Sequence, residues 1–255
     1  AVSPMQAFGV LAPHYNKILH MYSGGRDSLL SAYILKESKD PVYDVFLQFF
    51  DNGCIKNTQH AYSAFDIGNI KQKFSIKPII NTAGIWRSLW RDCPNKTADE
   101  ILSEYGKLSI SQFHCITCHA AMYVAAAAIC LNEHIQFVSM GTRRSQGFSV
   151  DNPKMVSKAK EFFKRFDIEV VLPVYNLADD NKRKNMLMMR DAPTKVLEPQ
   201  CMIGFPLEKE LTEDEIEAAC KFWDYSLLSS MELLVNPIRD ILFSQNNEIQ
   251  TMKGE

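Results

Sequence analysis

The chain has no surplus of positive charge. Lys and Arg number 28 against 30 Asp and Glu, the formal net charge is -2, and the isoelectric point is near 6.4. Without an overall positive field a surface does not gather a polyanion, which disfavours binders of long nucleic acids. Long apolar runs are also missing. The longest, Met122 to Leu131, is far short of a membrane span and rich in alanine, the composition of a packed helix. Residues 1–13 lack the basic start and apolar stretch of a secretory signal, so a cytoplasmic setting without a membrane is expected. No internal repeat or low-complexity segment occurs. What is present is 46% hydrophobic content over 255 residues, enough for one large domain or a domain with a small appendage.

The most informative segment is Ser23-Gly24-Gly25-Arg26-Asp27-Ser28, which follows the apolar stretch 17–22 and precedes the helix-like stretch 29–35. Adjacent glycines let backbone N–H groups turn toward an anion, two serines add hydroxyl donors, and the next helix contributes its positive end. A phosphate loop for a nucleotide is the expectation. No lysine follows the glycines, so a Walker-type clamp on the β and γ phosphates is a poor fit. The competing explanation is a glycine turn capped by Asp27 and Ser28.

Strand-like segments at 18–22, 43–50, 76–80, 135–140 and 168–172 alternate with helix-like ones at 28–37, 57–73, 97–105, 117–131 and 153–166. This order predicts an α/β fold: a doubly wound, mostly parallel sheet with ligands at the carboxyl ends of its strands. Asp51 and Asn52 end the second strand, where adenine or ribose recognition is common, although a plain turn with Gly53 would read the same. The texture changes near residue 173, and the boundaries expected are a nucleotide-binding domain at 1–173 and a helical C-terminal extension at 174–255 covering the ligand edge. Within it, Thr212 and Glu215 form a capping box. The basic cluster Lys182-Arg183-Lys184 with Arg190, preceded by Asp179-Asp180, reads as a solvated helix face.

Seven cysteines in such a chain imply thiols, metal ligands or nucleophiles rather than a disulfide framework. Cys115 and Cys118 open the alanine-rich helix in the string His114-Cys115-Ile116-Thr117-Cys118-His119, and Cys201 sits in a loop flanked by Pro199, Gln200 and Gly204. Haem attachment would require export. Zinc would need two further ligands, and no second close-spaced pair supplies them. A three-cysteine iron-sulfur site and persulfide chemistry both remain, as does burial of the pair as small hydrophobes. A cysteine at a helix N-terminus is activated, which points to Cys115 as the sulfur carrier, with Cys118 or Cys201 resolving or ligating. Cys54, Cys93, Cys130 and Cys220 are assigned no function.

The SGGxDS string resembles the PP-loop of the N-type ATP pyrophosphatase superfamily, whose members split ATP between the α and β phosphates. In its sulfur-inserting branch a CxxC follows the third strand and another cysteine lies further on, slots that Cys115, Cys118 and Cys201 match in order. Gly141-Thr142-Arg143-Arg144 looks like the family's second nucleotide-edge loop, and the resemblance spans about residues 17 to 205. It implies an adenine nucleotide alpha hydrolase-like fold, with ATP held by Ser23 to Ser28 together with Asp51, Gly141 and Arg143, and Mg2+ held by Asp27. It also implies a [4Fe-4S] cluster or zinc on Cys115, Cys118 and Cys201 as one role of the thiols. The four-cysteine zinc cluster of the nitrile-forming branch is absent, because Cys220 is the only cysteine after Cys201.

These features point to an ATP-dependent sulfurtransferase that adenylates an exocyclic carbonyl oxygen of a small purine or nucleotide and replaces it with sulfur. The oxygen at position 6 of guanine or GMP is the model, giving 6-thioguanine; Phe113, Phe148, Trp86 and Trp90 could stack on such a base or belong to the core. A desulfurase or sulfide would donate the sulfur, and a homodimer is the default assembly. The alternatives are a tRNA thiolation enzyme, an amide or nitrile synthetase using ammonia, and a nucleotide-binding regulatory module.

Overall fold

Ile18 and Leu19, successive residues of the first strand, are both fully buried but belong to different hydrophobic clusters. Neighbouring side chains on a strand point to opposite faces, so this sheet is covered on both sides. The structure is a computed structural model describing residues 15–54, 70–91, 100, 103–194, 201–203 and 211–251, the side chains of 91 and 245–251 excepted.

The first strand, β1 (Asn16–Met21), leads through the glycine loop into α1 (Arg26–Glu37) and then β2 (Tyr43–Gln48). A two-residue β3 (Phe50–Asp51) continues the same course. After α2 (Ile70–Lys73), the segment expected as one strand at 76–80 forms two: β4 (Ser75–Ile76), paired with β2, and β5 (Ile80–Asn81), paired with β3. Pro78 has no N–H to donate, which interrupts the ladder; Lys77 and Ile80 still donate to the carbonyls of Leu47 and Phe49. Next come α3 (Ala83–Arg91), α4 (Ile110–Glu133), β6 (Phe137–Met140), α5 (Pro153–Lys164) and β7 (Glu169–Val171). The main sheet runs β4-β2-β1-β6-β7, all parallel. Its strand order reverses between β1 and β6, the place where such sheets open a crevice at their carboxyl ends.

The chain closes with α6 (Asp180–Met188), α7 (Glu213–Phe222), a π-helical turn at Trp223–Leu227 and α8 (Leu228–Thr251). The Thr212 and Glu215 capping box forms as expected. Val174, Leu187 and Ala192 share a cluster with α1 and β2, whereas Phe222, Trp223, Met231 and Val235 join the cluster built on α4. Residues on both sides of position 173 therefore share the same cores.

The helix α4 departs from expectation in a way that matters. It begins at Ile110, earlier than the expected 117, because Ser109 and Gln112 make a capping box at its start. By length and composition it could cross a membrane, but 78% of its most apolar window is buried inside the protein. Ala120, Ala121 and Ala125 to Ala128 are fully buried, and such small residues let β1, β6 and α8 approach closely. Of the expected helices at 57–73 and 97–105, most residues lie outside those described, as does Cys93.

Candidate functional site

His20 lies under the glycine loop of residues 23–28. Its Nε2 is 2.8 Å from the Ser28 carbonyl and 3.1 Å from Ser28 Oγ, and its Nδ1 is 3.1 Å from Ser139 Oγ on the neighbouring strand β6. A carbonyl only accepts, so Nε2 carries the hydrogen and Nδ1 takes one from Ser139. Burial lowers the His20 pKa to about 4, and the ring is neutral at pH 7. Above it, the Ser23 amide donates to Ser28 Oγ at 3.1 Å and the Gly25 amide to Ser23 Oγ at 3.2 Å. Gly24 has φ of 82°, the left-handed region that favours glycine. The N-cap of α1 is Gly25, whose missing side chain leaves the first amides of the helix without a side-chain cap.

The second loop is pressed against the first. A Cβ at Gly141 would stand 2.6 Å from both Cα and N of Ser28, so only glycine permits this approach. Arg143, two residues on, donates from Nε to Asp27 Oδ2 at 2.9 Å. On its other oxygen, Oδ1, Asp27 is ion-paired at 2.7 Å with Nε of Arg183 from α6. Arg183 is 4% exposed, and its guanidinium also reaches the carbonyls of Leu177 and Ala178 and the carboxylate of Asp180. Asp180 pairs further with Lys184 at 2.7 Å and Arg26 at 3.1 Å, and Lys184 and Arg26 together hold its carboxyl down to about 2.

One expectation is corrected here. Arg183 is not on a solvated face: it is a buried guanidinium tying the glycine loop to the C-terminal segment. Asp27 Oδ2 is hydrogen-bonded by Arg143, whereas Oδ1 lies beside Arg183 Nε without a hydrogen bond.

The thiols gather around the turn that follows β3. Asn52 donates from Nδ2 to Cys118 Sγ at 2.9 Å, and its Oδ1 accepts from the Cys54 amide at 2.8 Å. The Cys54 carbonyl accepts from the Met202 amide at 2.9 Å, which lays the Cys201 segment beside this turn. Cys201 Sγ is 3.5 Å from Nε2 of His114, a buried ring packed edge-on against Trp86. Cys54, to which the sequence assigned no role, thus belongs to the same group as the three predicted cysteines. Cys130 is buried in α4 and Cys220 sits near Met155, away from it.

Cys115 follows the helix start by five residues, so the end of the helix does not activate it. Burial pushes its thiol well above the ordinary range, and neighbouring Cys118 and Asp151 add to the effect. Burial likewise pushes Cys118 up to about 12, against the opposing hydrogen bond from Asn52. The expectation of an activated Cys115 is therefore corrected. Among the described residues no three His, Cys, Asp or Glu side chains converge on one ion position, so a zinc ion on Cys115, Cys118 and Cys201 does not fit.

The Asp51 carboxylate accepts from the Gly53 amide at 2.8 Å, the turn that competed with nucleotide recognition, and Asn52 faces the thiols. Phe113 is buried core, while Trp86, Trp90 and Phe148 are partly buried against the same cluster. Arg144 is fastened by its backbone to Tyr175, which leaves its side chain exposed.

No family model matches the chain, and neither does any curated protein. Among solved structures it is similar to a predicted subunit of a tRNA methyltransferase from Methanocaldococcus jannaschii, at 17% identity over 77% of this chain and 100% of that one, with a TM-score of 0.43. It is also similar to the U34-tRNA thiolase NcsA from Methanococcus maripaludis with its [4Fe-4S] cluster, at 14% identity over 90% of this chain and 74% of that one, with a TM-score of 0.44.

Proposed function

We propose that the protein is an ATP-dependent sulfurtransferase of the PP-loop type acting on an exocyclic carbonyl of a small purine or nucleotide, with guanine or GMP as the model substrate. The observation that carries this reading is the hydrogen bond from Asn52 to Cys118, which draws the thiols to a turn at the carboxyl edge of the parallel strands. The phosphate loop after β1 and the Gly141 to Arg143 loop after β6 leave that same edge.

In this reading Ser23 to Ser28 and the uncapped start of α1 receive the phosphates of ATP, and Arg143 supports their charge. The substrate carbonyl oxygen attacks the α phosphorus and pyrophosphate leaves. A persulfide on Cys201 attacks the activated carbon through its terminal sulfur and AMP leaves. Cys201 is preferred over Cys115 as carrier because it lies outside the packed helix α4 and has an imidazole nitrogen within reach. The outer sulfur of the persulfide comes from a desulfurase persulfide or from polysulfide, by exchange onto the Cys201 thiolate with the donor's thiolate leaving; sulfide, already fully reduced, could act only by attacking the activated carbon directly.

A small substrate fits the charge balance. Arg26, Arg143, Arg183 and Lys184 are each paired with Asp27 or Asp180, so they offer little spare charge to a nucleic-acid backbone. The test measures pyrophosphate, AMP and thiolated product with guanine, GMP and unmodified tRNA, each with polysulfide or ammonia. Polysulfide-dependent product from guanine or GMP is expected. Turnover with ammonia that survives Cys201→Ser would replace the reading with an amide or nitrile synthetase, and thiolation confined to tRNA would overturn the small substrate. A cytoplasmic homodimer is part of the same proposal, and size-exclusion chromatography with light scattering reads the assembly.

A further inference from the structure

We propose that Cys54 is the thiol that resolves the sulfur-transfer intermediate on Cys201, an assignment that rests on the thiolation reading above. Its backbone is held on both sides. The Cys54 amide donates to Asn52 Oδ1 at 2.8 Å, and its carbonyl accepts from the amide of Met202, the residue after Cys201, at 2.9 Å. Gly53 sets the direction of this turn with φ of 74°, and its α-carbon lies so close to α3 that an added Cβ would come within 3.0 Å of Ala83 Cβ. The two thiols are close enough for Cys201 to raise the pKa of Cys54, together with burial and Asp51.

The other cysteines of the group are less suited to this step. Cys118 is 5% exposed, and its sulfur already accepts from Asn52. Cys115 is fixed on the rigid helix α4, packed against the core. Cys54 and Cys201 are both half-buried and neither lies on a helix, so joining them does not require a helix to unpack.

The step balances as follows. Attack by the Cys201 persulfide and loss of AMP leave a disulfide between Cys201 and the carbon of the substrate. The Cys54 thiolate attacks the Cys201 sulfur, the sulfur–sulfur bond to the substrate breaks, and the thiolated product leaves with the electron pair and a proton. A Cys54–Cys201 disulfide remains. A dithiol reductant returns it to two thiols for the next cycle.

The experiment loads the full-length protein with polysulfide, runs a single turnover with ATP and GMP, traps thiols with N-ethylmaleimide and maps peptides without reduction. A Cys54–Cys201 peptide in amounts matching the thiolated product is expected. In Cys54→Ser the nucleotide should stay attached to Cys201, and multiple turnover should fall at least about tenfold and recover in part with excess dithiothreitol. A disulfide from Cys201 to Cys118 or Cys115, or undiminished turnover of Cys54→Ser without added thiol, would overturn the assignment while leaving thiolation standing.

A second arm oxidises the resting protein with diamide, which needs no substrate. Failure to form the Cys54–Cys201 link there also defeats the assignment. Formation of the link in a protein that yields no thiolated product with any substrate removes the thiolation reading, and the resolving role with it.

Discussion

Asn52 joins the Cys54 backbone to the Cys118 thiol through one side-chain amide, accepting from the first at 2.8 Å and donating to the second at 2.9 Å. Replacing it with leucine removes both bonds but leaves the phosphate loop untouched. The expected outcome for Asn52→Leu is retained ATP-dependent adenylation with at least a tenfold loss of thiolation, on the order of one to two lost hydrogen bonds. Parallel assays of AMP and thiolated product check this; equal loss of both would show that the two halves of the site are not separable.

Gly141→Ala places a methyl group where the backbone of Ser28 stands, 2.6 Å away. Neither partner is the flexible tip of a side chain, so the two loops must part. A loss of about 1–3 kcal/mol in stability is expected, with a weaker affinity for ATP. Denaturant titration and nucleotide binding by calorimetry read the two effects.

Arg183 and Lys184 are neighbours in sequence with opposite prospects. Arg183 is buried and ion-paired to Asp27, whereas the Lys184 side chain is 42% exposed. Arg183→Met should cost about 3–5 kcal/mol by stranding Asp27 and two backbone carbonyls, and Lys184→Met should stay within about 1 kcal/mol. Urea unfolding of the pair provides the comparison.

His20 makes stability depend on pH. Its folded pKa is lowered to about 4 from 6.5, so the fold favours the neutral ring. The stability it contributes is complete above pH 6.5 and is lost as pH falls from 6.5 toward 4, because the unfolded chain binds the proton first. Between pH 7.5 and 5 the loss should be about 2 kcal/mol. His119, lowered in the same way by burial, adds a loss of the same sign. Unfolding midpoints of the wild type and His20→Gln at both pH values isolate the His20 share; an identical pH response in the two proteins would contradict it.

The strand, glycine turn and helix over residues 17–35 are legible in the sequence because all three are local in the chain. The start of α4 was misplaced because apolar periodicity does not begin until after Ser109 and Gln112, and their capping box marks a helix end only when read together with them. That shift moved Cys115 away from the helix terminus and reversed the reason for choosing it. The buried setting of Arg183 is not legible, for a different reason. Charge patterning along a helix cannot reveal that Asp27, more than 150 residues earlier, waits at the buried end.

By itself the sequence determined the β–α alternation, the glycine turn between β1 and α1, and which cysteines were available, since each depends on residues close in the chain. Tertiary structure alone decided which thiols meet. The turn after β3, which pairs with β5 in a separate small sheet, meets α4 and the Cys201 segment, and only there do Asn52, Cys54, Cys118 and Met202 become hydrogen-bonded neighbours. The same long-range packing decided that the half-buried Asp27 would be paired with two arginines, because a partly desolvated carboxylate is stabilised by cations that here come from distant parts of the chain.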